Sequence, residues 1–237
     1  MKKEFAAACC LLFAQSAFAD DFDIVNPDPV AFKKVSEDLV HAYSYKALAP
    51  AEATGLTGFG IGAFGSYMSV DKSAWEDLTG EDISGIGMAG VVAHKGLPFG
   101  VDLGAYYGYV PGAKADVFGA EVRYAILEGG ALTPALAVRG SYTNLSGVDD
   151  VGLNNYGLDV TASKGFAFLT PYAGVGYVWG KVKTKGNGVA ALLDDEKVKD
   201  ARFFAGLRIS MLLFELTPEY ERIGSDDVFN LRAGFSF

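Results

Sequence analysis

The chain ends Val228-Phe229-Asn230-Leu231-Arg232-Ala233-Gly234-Phe235-Ser236-Phe237. Phe229, Leu231, Ala233, Phe235 and Phe237 fall on one parity, and Val228, Asn230, Arg232, Gly234 and Ser236 on the other. Side chains of a strand alternate between its two faces, so this segment reads as a β-strand with a continuous apolar face and a final aromatic.

The same period of two runs back from this strand to Gly55. Residues 99–110 show it most cleanly, with Phe99, Val101, Leu103, Ala105, Tyr107 and Tyr109 on the outer face and Gly100, Asp102, Gly104, Tyr106 and Gly108 on the inner. The first strand has Phe59, Ile61, Ala63 and Tyr67 on its apolar face, with Phe64 as an exception. The second, 83–94, places Ile86, Met88 and Val92 on its apolar face. Further strands are expected at 115–127, 133–143, 155–163, 168–181, 199–210 and 213–222. With the last strand the count is about ten, and eight is the alternative. No Gly, Pro, Asn or Asp marks a turn near Met211; a turn is inferred there because the apolar parity switches between Ile209 and Leu212.

These strands are long enough for a tilted membrane crossing, which takes about 9–11 residues. The connections at 70–82, 143–151 and 182–197 are the longest, and all fall at one end. Those at 95–98, 128–132, 164–165 and near Met211 fall at the other. Long outer loops and short periplasmic turns give that parity.

The last strand, ending on Phe237, resembles the terminal signature of bacterial outer-membrane β-barrels, the small OmpA/OmpW-like superfamily in the broad sense. The resemblance implies an all-β, antiparallel transmembrane β-barrel in the outer membrane. Its partners would be outer-membrane lipids and, through Phe229, Leu231, Ala233, Phe235 and Phe237, the barrel-assembly machinery.

Upstream of the strands the pattern changes. Residues 1–19 start with Lys2 and Lys3, continue in an apolar stretch and end Ala17-Phe18-Ala19, which predicts a signal peptide cleaved before Asp20. That peptide contains both cysteines, so the exported chain is expected to have no thiol chemistry and no disulfide. It carries two lysines and one glutamate, so its removal takes the formal net charge from −9 to −10 and argues against nucleic acid as a partner. The N-terminal segment 20–54 holds one amphipathic helix, expected from Pro29 to Leu48 after Asp28 as N-cap, with Phe32, Val35, Leu39 and Tyr43 on one face. Three places suit it: plugging the lumen, lying at the inner leaflet, or binding a periplasmic partner. Its amphipathic pattern favours interfacial packing. Residues 55–237 form the barrel.

On the inner face the sequence puts Asp102, Glu121, Asp159, Glu215 and Glu219 against Arg123, Arg139, Arg202, Arg208 and Arg232. Equal numbers of acids and arginines predict a mutually paired lumen network, because unpaired buried charge costs several kcal/mol. Trp75 and Trp179 are candidate elements of the outer mouth, and residues 190–198 are expected to form helical turns over it.

No catalytic group stands out. His41 is assigned to the helix and His94 to the rim beside the inner turn, both away from the outer rim, so a His-based dyad there is not expected. Asp149-Asp150, Asp194-Asp195-Glu196 and Asp226-Asp227 lack the spacing of a calcium loop, and no metal or cofactor is expected. The preferred reading is a structural or binding barrel with a charge-paired lumen. A narrow channel for a small or amphipathic solute is the alternative, and a carboxylate-based enzyme has the least support.

Overall fold

The computed structural model describes residues 23–130, 132–185 and 188–237; the signal peptide expected at 1–19 lies outside the described residues. Ten antiparallel strands close into one barrel in sequence order. They are β1 (Phe59–Ser69), β2 (Gly85–Gly96), β3 (Val101–Val110), β4 (Ala115–Glu128), β5 (Ala135–Ser146), β6 (Val151–Ser163), β7 (Leu169–Thr184), β8 (Glu196–Met211), β9 (Phe214–Ile223) and β10 (Asp226–Ser236). β10 pairs back onto β1 from Gly60↔Ser236 to Met68↔Val228, leaving no free sheet edge. Ten strands are therefore present, and the alternative of eight is excluded.

The turn inferred from the phase switch is real. Met211 pairs with Phe214, and Leu212 takes φ +59 in the two-residue connection. Short connections at 97–100, 129–134, 164–168 and 212–213 define a turn end of the barrel, and the longer ones define a loop end.

Among the described residues two α-helices accompany the strands. α1 (Pro29–Ala42) starts as expected, with the Asp28 carboxylate accepting from the amides of Val30 and Ala31 at 2.8 and 3.2 Å. It stops at Ala42, not Leu48. The Ser44 hydroxyl and the Lys46 ammonium both donate to the carbonyl of His41 at 3.0 Å, satisfying a last-turn acceptor and placing positive charge at the helix C-terminus. α2 (Lys72–Thr79) lies in the first long loop between Asp71 as N-cap and Gly80 at φ +76. The expected helical turns at 190–198 shrink to a single 3-10 turn, Val189–Leu192, because β8 begins at Glu196 and pairs there with Val182.

The barrel is filled by its own N-terminal segment. Phe32, Val35, Leu39 and Val40 of α1 are buried with Met68, Val117, Leu153, Val178 and Val228 of the wall, and with Trp75 and Leu78 of α2. This corrects the reading of β2. Ile86, Met88 and Val92 face inward, and the outward positions of that strand are Ala89, Val91 and Ala93. Apolar residues line the loop-end half of the lumen because α1 packs there, so apolar does not mean outward on every strand.

Candidate functional site

The central feature is the path of residues 24–54 through the lumen. At the loop end the amide of Ile24 donates to Asp150 at 2.9 Å, and those of Val25 and Asn26 donate to the carbonyl of Leu78 at 3.1 and 3.2 Å. α1 follows inside the mouth, and the chain then descends in extended form. The Leu48 amide donates to Glu219 at 3.0 Å, and the Ala51 amide to the Ser163 hydroxyl at 3.1 Å. The Pro50 carbonyl accepts from Arg123 at 2.7 Å, and the Thr54 amide donates to both oxygens of Asp102 at 3.1 Å. An irregular segment buried in a barrel has no sheet neighbour, so its backbone groups take partners from wall side chains. The segment is thus a plug, and the favoured expectation of a helix packed at the membrane interface is replaced.

Three contacts seat α1. Its last turns pass so close to β7 that a Cβ placed on Gly180 would fall 2.2 Å from Val40 Cγ2; only glycine fits there. Asp38 is buried and accepts from the Trp75 indole at 2.8 Å and from Lys34 at 2.8 Å. Burial pushes the Asp38 carboxyl above its ordinary range, and the Lys34 and Trp75 donors offset part of that push. The structure also moves His41 to the loop end, buried between two carboxylates. Nδ1 lies 2.7 Å from Asp226 and Nε2 lies 3.0 Å from Asp200.

Below the helix, Tyr45 stacks on Tyr106 with ring centroids 5.0 Å apart, and the Arg139 guanidinium lies over Tyr45. Here the inward acids and arginines meet. Arg139 bonds Asp159 at 2.9 Å and lies 3.6 Å from Glu121; Arg123 bonds Asp102 at 2.6 Å. Arg202 reaches Asp159 and Glu221, and Arg232 and Arg208 approach Glu215 at 3.4 and 3.8 Å. Glu219 accepts from Tyr172 at 2.8 Å and from Asn230 at 3.2 Å.

Several members of this cluster were not foreseen. Lys46, within the span expected to be helical, lies beyond the helix and pairs with Glu221 at 3.0 Å, both side chains fully buried. Glu221 shares the parity of Glu215 and Glu219 on β9, so period two alone would have found it. His94 lies inside the lumen, 3.4 Å from Glu121, rather than at the rim. Trp75 is buried on α2, whereas Trp179 is half-buried on the outer face, stacked on Tyr177. Phe229, Leu231, Ala233, Phe235 and Phe237 all lie on the outward parity of the last strand. Among the described residues no group of three or more His, Cys, Asp or Glu is arranged to hold a metal ion.

No protein-family model and no curated protein matches the chain. Among solved structures, the N-terminal β-barrel domain of Pseudomonas aeruginosa OprF aligns at 17% identity and TM-score 0.39, covering 77% of this chain and 99% of that one. The KdgM porin aligns at 10% identity and TM-score 0.39, covering 75% and 99%. Ail of Yersinia pestis, in complex with the heparin analogue sucrose octasulfate, aligns at 15% identity and TM-score 0.29, covering 76% and 97%. No residue role follows from these likenesses.

Proposed function

We propose that the protein is an outer-membrane barrel held closed by its own N-terminal segment, serving as a structural or binding element and not as an open pore. The observation that carries this reading is the path of residues 24–54, whose apolar helix fills the loop-end half of the lumen and whose extended part is bonded into the charged half.

Membrane insertion is supported by the outer surface. Ile61, Val91, Leu103, Val122, Leu158, Val175, Phe203 and Phe229, from eight different strands, are all strongly exposed. An apolar surface this continuous is far larger than soluble monomers expose, and it suits a lipid-facing band. Strands of 10 to 16 residues meet the crossing requirement. The turn end then faces the periplasm, and the outward parity of β10 is the face offered to the assembly machinery. A periplasmic partner would meet the turn end, because α1 lies at the opposite mouth.

Enzymatic activity receives no support from His41. Both ring nitrogens of His41 are engaged by carboxylates, leaving neither free to take a proton from a substrate.

Planar-bilayer recording tests closure. The full chain is expected to give no stepwise conductance, and a chain lacking residues 23–54 to give regular steps. Steps of equal size and frequency from both would overturn the reading. A passage function would require the plug to move, so it would appear as rare, voltage-dependent opening of the full chain.

A further inference from the structure

At the turn end, the lower part of the plug and the wall leave a cavity of about 270 Å3. Its polar lining includes Glu52, His94, Arg123, Arg208, Glu215 and Arg232. The three guanidiniums are not equally satisfied. Arg123 donates to Asp102 through two nitrogens and to the Pro50 carbonyl, and is held in place. Arg208 donates from Nη2 to Glu52 at 2.7 Å and to the Thr170 hydroxyl at 3.4 Å, while its Nε stands 3.8 Å from Glu215.

Arg232 has the least. Among the described residues it makes one long hydrogen bond, Nη1 to Glu215 at 3.4 Å, and its Nε is buried without an acceptor. The oxygen of Glu215 that Arg232 reaches is shared, since it also accepts from the Ser236 hydroxyl at 2.7 Å. The guanidinium lies against the glycine face of β1: a Cβ on Gly60 or Gly62 would come within 3.3 and 3.1 Å of its Nη2 and Nε. Arg232 is only 4% exposed, yet it borders a space that reaches solution past Arg208 and Glu52, whose side chains are 23% and 31% exposed.

A guanidinium carries five N–H donors in a planar fork that matches the oxygens of a carboxylate or phosphate. The Nε groups of Arg208 and Arg232 are both buried without an acceptor, although Glu52 and Glu215 lie beside the two guanidiniums. Buried donors without acceptors are costly, and an oxyanion entering from the turn end would supply them. We propose that the cavity is a binding site for a small oxyanion, a carboxylate or phosphate, held between the forks of Arg208 and Arg232. Glu52 belongs to the plug, so the ligand would compete with it for Arg208 and loosen the plug's lower anchor.

Titration calorimetry of the purified full-length barrel in micelles, with inorganic phosphate and with citrate as probes, tests the site. Saturable one-to-one binding is expected. R232Q and R208Q should each weaken it by about tenfold or more, through loss of a charge-assisted contact. R232K should fall between, keeping the charge but not the fork. E52Q should tighten binding severalfold by removing the internal competitor, and D149N at the loop end should leave it unchanged. Absence of saturable binding, indifference to both arginine substitutions, or weaker binding in E52Q would each overturn the proposal. If R232Q fails to refold, the partly exposed Arg208–Glu52 pair still decides through R208Q and E52Q. The inference rests on the seating of the lower plug at Glu52 but not on complete closure of the lumen: a chain that conducts and still binds phosphate, more tightly in E52Q, would reject closure and keep the site.

Discussion

Lys46 and Glu221 form an ion pair 3.0 Å long with both side chains fully buried, joining the plug to the barrel wall. The two partners are not equivalent. Glu221 also pairs with Arg202, whereas Lys46 has no other carboxylate among its bonds. Glu221→Gln would leave two buried cations short of one acid, and is expected to cost about 3–5 kcal/mol. Lys46→Met leaves Glu221 with Arg202 and removes the buried ammonium, so about 1–2 kcal/mol is expected, mainly from the lost bond to the His41 carbonyl. Urea unfolding of the two variants in micelles checks the order; equal losses would mean that the pair acts alone.

Gly180 and Val40 give a steric test of how tightly the helix must seat. Gly180→Ala places a methyl 2.2 Å from Val40 Cγ2 and 2.7 Å from Asn155 Oδ1, in a packed interior that cannot yield that much. The helix should be pushed off the wall, costing about 1–3 kcal/mol and producing openings in bilayer recordings. Val40→Ala removes both clashing methyls. The double variant is expected to recover part of the loss, a positive coupling that a thermodynamic cycle measures.

The strands were legible because lipid-facing positions repeat every second residue, and even the unmarked turn at Leu212 appeared as a phase switch. Ile86, Met88 and Val92 were read onto the wrong face because the rule that apolar means outward assumes a polar lumen. Nothing local to β2 tells it that α1 will pack against it. The same long-range contact explains Lys46: it looks like a surface lysine until Glu221, far along the chain, supplies a buried partner. α2 was readable in principle, from Asp71 as N-cap and Gly80 as stop, but its Trp75 gains meaning only through Asp38. The cavity beside Arg232 depends on where Glu52 of the plug ends up, which no pattern within either segment shows.

Asp38 makes the seating of α1 sensitive to pH. Burial raises its carboxyl above the ordinary value of 3.8, so the folded state binds that proton more tightly than the unfolded chain. The sign follows: its contribution to stability is complete below the unfolded value and is lost as pH rises through the raised one. Asp38→Asn keeps an acceptor for the Trp75 indole but cannot titrate. The variant should lack this decline, so its stability relative to the parent should increase as pH rises from the ordinary carboxylate range upward. Urea midpoints measured across that range give the comparison, and parallel curves would show that Asp38 keeps its ordinary value.

Leu212 sits fully exposed at the tip of the turn between β8 and β9 with φ +59, a conformation that costs a residue with a Cβ about 1–2 kcal/mol and normally goes to Gly or Asn. Phe99 does the same at the turn between β2 and β3, with φ +65, and Leu132 and Phe166 expose apolar side chains at the remaining two turns. Nearby carbonyls are satisfied by lysine side chains: Lys95 donates to those of Leu56 and Gly58, and Lys164 to those of Gly130 and Thr133. Apolar tips over satisfied backbone suit the lipid interface, where burial of a Leu or Phe side chain offsets the turn strain. A nitroxide on a single cysteine at 212 or 99, in vesicles of phosphatidylethanolamine and phosphatidylglycerol, should therefore relax with oxygen more than with a water-soluble nickel chelate. One at 149 should do the reverse, and one at 122 should report the bilayer interior. If 122 reads as buried in lipid while 212 and 99 read as water-exposed, the barrel spans the membrane with its turns clear of it. If 122 reads as water-exposed, the membrane reading itself fails.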